Sequence, residues 1–158
     1  MPESAWYEPR KRWRAHKILD YLDTEVLPKN TSCRAIVGFT EEDISTIKDE
    51  HPDWGVLGLA NIGGTAAVVS SFRMTRNVSR RKVKRRAVGT VNHELGHALG
   101  AEHDEVAKCI MNDAKGSVRT LDKENGLLCE SSRREILDTS GIVVPNKKVF
   151  DWNKVIGK

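Results

Sequence analysis

Apolar positions Ala15, Ile18, Leu19, Leu22 and Val26 recur at three- and four-residue intervals, and Pro28 closes the run. This spacing predicts a first helix over residues 13–27. The apolar segment 33–39 reads as a short buried strand, after which Thr40 can cap a helical turn carrying residues 41–47. Segments 54–59 and 65–71 read as strands parted by a turn over residues 61–64, which includes Gly63 and Gly64. Val83, Ala87, Val91, Leu95 and Ala98 lie on one face of a longer second helix that Gly100 ends. Residues 109–116 are irregular, and a last helix is predicted over residues 122–138. Phe150 and Trp152 give the tail a means of docking. The expectation is a single domain over residues 1–158, with an N-terminal segment 1–12 and a C-terminal tail 145–158.

Charge changes this picture in one place. The chain has 158 residues and a net charge of +4, from 26 basic and 22 acidic side chains. Eight of the basic ones (Arg73, Arg76, Arg80, Arg81, Lys82, Lys84, Arg85, Arg86) fall in one stretch without an acid, and without them the chain carries −4. No aromatic residue lies within the stretch, which argues against nucleic acid and for a solvated helix face or attraction of acidic partners. No apolar run approaches the roughly 20 residues of a bilayer span. The N-terminus has no apolar signal-like core, so a cytoplasmic location is the default expectation, with a processed secreted form left open. Monomer is likewise the default. Three cysteines are too few for a disulfide scaffold.

The chemistry concentrates in His93-Glu94-Leu95-Gly96-His97-Ala98-Leu99-Gly100-Ala101-Glu102-His103. Two histidines four apart on a helix share a face and can bind one zinc. His103 would leave that face if the helix continued. Gly100 can take a positive φ and turn the chain so that His103 returns to the metal. Three neutral imidazoles leave a fourth zinc position for water, and Glu94, one step round from His93, is placed to act as its general base. This pattern is the metzincin signature. Met111 is the candidate methionine of the turn beneath the metal.

Asp104 and the Cys109-Ile110-Met111 triplet are similar to the adamalysin or reprolysin type, but the chain more closely resembles archaemetzincins. Asp104, Cys109, Met111, Cys129 and Ser132 fall in register on positions of their signature. Segments 43–45, 53–55 and 68–73 also resemble archaemetzincin sequence. The resemblance implies an α/β (α+β) metzincin-like domain: a small mixed, twisted sheet, a backing helix, a zinc-binding helix, a Met-turn and a C-terminal helix. It implies peptide-bond hydrolysis in a peptide or protein substrate, with one catalytic Zn²⁺. Four cysteines bind a second, structural zinc in archaemetzincins. Here Asp104 and Ser132 replace two of them, so that zinc is expected to be absent or weak, and Cys109 and Cys129 come close enough to form a disulfide. The same resemblance implies that the strand holding Ala66, Ala67, Val68 and Val69 borders the substrate cleft. Two alternatives stay open: a zinc-containing basic binding protein without turnover, and a latent peptidase whose cleft is covered by the N-terminal segment or the tail, with Asp151, Asp104 or a cysteine at the open zinc position.

Overall fold

Trp6 and Trp13 pack edge to face, with ring centroids 5.1 Å apart, in the first strand pair of the chain. They belong to β1 (Trp6–Tyr7) and β2 (Arg12–Arg14) of a computed structural model that describes residues 1–157. Lys158, the end of the expected tail, lies outside the described residues. The elements that follow are α1 (Ala15–Tyr21), β3 (Ile36–Thr40), β4 (Ile44–Lys48), β5 (His51–Val56), β6 (Gly58–Ala60), β7 (Ala66–Ser70), α2 (Arg80–Ala98), α3 (Val118–Leu121), α4 (Glu130–Ser140) and α5 (Trp152–Ile156). Two small mixed sheets result. One has the order β1-β2-β4-β5 and the other β3-β7-β6. The chain leaves the first sheet for β3, returns to it at β4, and passes to the second again at the buried Leu57, between β5 and β6.

Several expected boundaries move, each for a physical reason. Trp13 is a strand residue, so the first helix starts at Ala15; it continues through a π turn at Leu22–Val26 and a 3-10 turn at Leu27–Lys29. Residues 41–47 do not form a helical turn. Thr40 Oγ1 does accept the Glu42 N–H at 3.1 Å, but Ile44 and Ser45 then enter β4, fully buried between β2 and β5. Local capping chemistry is overridden there by β-branched residues that gain a partner on each side. The last helix begins at Glu130 rather than near residue 122. Gly126, at φ +82°, sits where any Cβ would strike the Phe150 and Trp152 rings at 2.8 Å, so the chain wraps under the tail before α4 starts. Segment 1–12 is an integral part of the first sheet.

β7 lies between two helices. Ala66 and Val68 join α1 residues Ala15, Ile18 and Leu19 in one buried cluster, while Val69 joins Leu57, Met74 and Leu121 against Val83, Ala87 and Val91 of α2. A third cluster of Ala101, Cys109, Ile110, Met111 and Ile136 builds the far side of the molecule, beyond Gly100.

Most of the basic stretch is used inside the protein. Arg73 makes a two-pronged contact to Asp43, and Arg81 binds the Gly157 carbonyl and Asn153. The Arg85 guanidinium stacks 4.9 Å over Trp152. Arg86 is buried, donates to the Met74 carbonyl and grips both Asp122 oxygens at 2.8–2.9 Å, and Lys82 reaches the same carboxylate. Hydrogen bonding from Arg86 holds the Asp122 carboxyl down at about 2. Because that pKa is lowered on folding, the stability it contributes is present above about pH 4 and lost as pH falls towards 2. Asp122→Asn is accordingly expected to cost about 2 kcal/mol at pH 7. Denaturant midpoints of the two proteins should converge as the pH is lowered through that window.

Candidate metal centre and active site

The turn after α2 orients two of the histidines. Gly100 takes φ +107°, its N–H donates to the His97 carbonyl at 2.9 Å, and Ala101 N–H donates to the Gly96 carbonyl at 2.9 Å. That places the Ala101 carbonyl 2.7 Å from His97 Nδ1, while the Ile110 carbonyl lies 2.7 Å from His93 Nδ1. A carbonyl can only accept, so each ring carries its proton on Nδ1 and points an Nε2 lone pair inward. His97 Nε2 lies 3.1 Å from His93 Nε2 and 3.2 Å from His103 Nε2. Converging lone pairs repel one another unless a cation sits among them. Tetrahedral ligation with Zn–N near 2.05 Å sets nitrogens about 3.3 Å apart, so the three histidines fit zinc closely. Burial pushes His93 down to about 4 and lowers His97 as well, which keeps both rings in the neutral, ligating form.

Glu94 projects beside this group and is itself buried. β6 crosses directly over it: a Cβ on Gly58 would stand 2.6 Å from Glu94 Cγ and Oε1. Burial alone raises the Glu94 carboxyl to about 8, and no neighbouring charge offsets it. Met111 is fully buried with its sulfur against Gly96, in the α2 turn between the two helical ligands; a Cβ at Gly96 would be 2.5 Å from Sδ.

These groups open onto a cleft of about 350 Å³. Its walls are Thr46–Lys48 and Trp54 of the first sheet, the strand β6, and segment 113–116 with Leu121. The strand expected to border the cleft does not. Ala66, Ala67, Val68 and Val69 are in β7, the central strand of its sheet, paired on both edges and at most 1% exposed. β6 is the edge strand at the cleft; the strand expected over residues 54–59 proves to be the end of β5 and the start of β6, parted at the buried Leu57. The Ile110 carbonyl was missed, since a backbone acceptor leaves no mark in the residue type.

Cleft-lining residues run from Thr46 to Leu121 and include neither the N-terminal segment nor the tail. The tail docks elsewhere, with α5 on the early turns of α2 and Asp151 capping α5 through the Lys154 N–H. Among the described residues, neither end of the chain covers the cleft. Asp104, Cys109, Cys129 and Ser132 do come together, at the start of α4. Cys109 and Cys129 are joined as a disulfide, and Ser132 Oγ lies 3.0 Å from Cys129 Sγ. A thiolate zinc site needs free thiolates, so this pairing accords with a degraded second zinc site.

A family model described as metallo-peptidase family M12 (Reprolysin_5) matches residues 2–138. The chain belongs to this metallopeptidase family. Its similarity within the metallopeptidases is to archaemetzincins: 29% identity over 148 residues to that of Halobacterium salinarum, spanning 86% of this chain and 78% of the relative. The Pyrococcus horikoshii archaemetzincin is 32% identical over 138 residues, spanning 84% and 69%. The crystal structure of Methanopyrus kandleri archaemetzincin superposes with a TM-score of 0.76 at 25% identity, over 90% of this chain and 73% of that one. The protein is thus an archaemetzincin-like zinc metallopeptidase with a mixed α/β fold. His93, His97 and His103 form a group that can hold its zinc.

Proposed function

We propose that this metallopeptidase hydrolyses peptide bonds in extended polypeptide segments, with Glu94 as the general base. The observation that carries the reading is the placement of Glu94: a buried carboxylate, free of any charged partner, in the same cleft as three convergent imidazoles. Bound zinc supplies Lewis acidity, acidifying water and polarising the scissile carbonyl. Glu94 takes the proton of the attacking water and returns it to the departing amine. A carboxyl whose proton affinity is raised by burial is suited to both halves of that transfer. The free edge of β6 offers backbone groups to an extended substrate, which aligns the scissile bond over the histidines. Trp54, Val56, Leu57 and Leu121 exclude water around it.

The test is digestion of a diverse peptide library by zinc-loaded wild type, with Glu94→Ala as control. Cleavage by the wild type alone is expected, lost on chelation and restored by zinc. A wild type that holds zinc yet cuts nothing would favour a binding protein without turnover.

A further inference from the structure

The Cys109–Cys129 disulfide lies outside the cleft, yet it fastens to α4 a pair of loops that aim zinc ligands. Cys109 directly precedes Ile110, whose carbonyl holds His93. His103 directly precedes Asp104, whose N–H donates to the Met111 carbonyl at 2.9 Å, and Asn112 Nδ2 returns a hydrogen bond to the Asp104 carbonyl at 3.1 Å. The strands of chain on either side of the metal are therefore laced to each other. The disulfide then anchors them to α4, whose N-cap residue is Cys129. Between the two cysteines the only regular element is the four-residue α3, and the disulfide is the covalent tie that closes this 20-residue span, beside the hydrogen bond from the Ile110 N–H to the Leu127 carbonyl at 2.9 Å.

We propose that Cys109 and Cys129 are positioning residues for the zinc ligands, and that their disulfide makes zinc retention respond to a dithiol reductant. The inference rests on His93, His97 and His103 being the zinc site. Cys109 is buried and Cys129 is partly exposed, so a thiolate of the dithiol attacks Cys129 Sγ. The S–S bond breaks and Cys109 departs as a thiolate, which receives the Cys129 N–H across 3.2 Å at the α4 N-terminus. The second thiol of the reductant displaces the mixed disulfide. Two electrons and two protons pass to the protein, leaving two cysteine thiols and an oxidised, cyclic reductant. Reduction also changes the bonding beside His103. Cys129 Sγ lies 3.1 Å from Asp104 Oδ2, a contact that becomes a hydrogen bond only once the sulfur carries a proton.

The experiment uses the Cys33→Ser protein, which removes the exposed third thiol. Zinc affinity is measured by competition with a chromophoric chelator, for the oxidised protein and for protein reduced with a dithiol that is then removed anaerobically. The reduced form is expected to hold zinc roughly 10- to 100-fold more weakly, as when an outer partner of a ligand is lost. Reoxidation should restore the affinity, and a Cys109→Ser/Cys129→Ser variant should match the reduced form. Zinc stoichiometry of the oxidised chain tests the three-histidine site by itself. Equal affinities overturn the proposal, including the case in which reduction lowers only the melting temperature. Two zinc ions per reduced chain also overturn it, because the cysteines would then be ligands.

Discussion

Glu94→Gln is expected to retain zinc and to lower kcat/KM by about 10²- to 10⁴-fold, the contribution typical of a positioned general base. The amide keeps the shape of the side chain under β6, where it lies against Gly58. It also leaves the metal donors untouched, since the three Nε2 atoms are aimed by the Ala101 and Ile110 carbonyls and by the chain reversal at Gly100. What is lost is the capacity to accept a proton. Burial disfavours the charged carboxylate, so replacing it with a neutral amide removes a desolvation cost, and the variant should be at least as stable as the wild type. Zinc content, unfolding midpoint and peptide kinetics measured together separate these effects. A variant with intact zinc and unchanged kcat/KM would remove Glu94 from the mechanism.

Gly100→Ala is the second large effect, and it reaches the metal through the backbone. At φ +107° an L-residue is strained, and the added Cβ would lie 2.4–2.6 Å from three side-chain atoms of Thr139. Relief requires either a changed turn or displacement of α4. A changed turn moves the Ala101 carbonyl away from His97 and carries His103 off the metal. We expect a loss of about 3 kcal/mol in stability. Zinc affinity should fall by roughly 100-fold or more, since a ligand itself is displaced. Gly100→Ala combined with Thr139→Gly should recover part of the stability and little of the zinc affinity. Calorimetry and chelator competition read the two quantities separately.

What the sequence made legible follows from how local the signal is. The His93–His103 run encodes its own geometry, because helical spacing sets two ligands on one face and a single glycine determines the reversal that recovers the third. Elements fixed by distant partners were harder to read. Ile44 and Ser45 follow acidic residues suited to a helix start, and only pairing with Trp13, Arg14, Gly55 and Val56 makes them a strand. β7 is rich in small and β-branched residues, which suits an edge open to substrate as well as a centre packed between two helices. Its paired neighbours decide for the centre. The basic stretch read as a solvated face, and its partners (Asp43, Asp122, and Trp152 with Asn153) come from three separate parts of the chain.

The first sheet gives the cleft an unexpected dependence on the start of the chain. Thr46 and Trp54 stand opposite one another across β4 and β5 and form one wall of the cleft. The outer margin of that sheet is β1 and β2, and the buried Arg14 fastens it by hydrogen bonds to the Pro52 carbonyl and Asp53. The wall thus has its outer hem in residues 6–14. During synthesis β2 emerges some thirty positions ahead of β4, its second pairing partner. The cleft is consequently assembled from the two halves of the chain at once, and neither half carries a finished binding surface of its own.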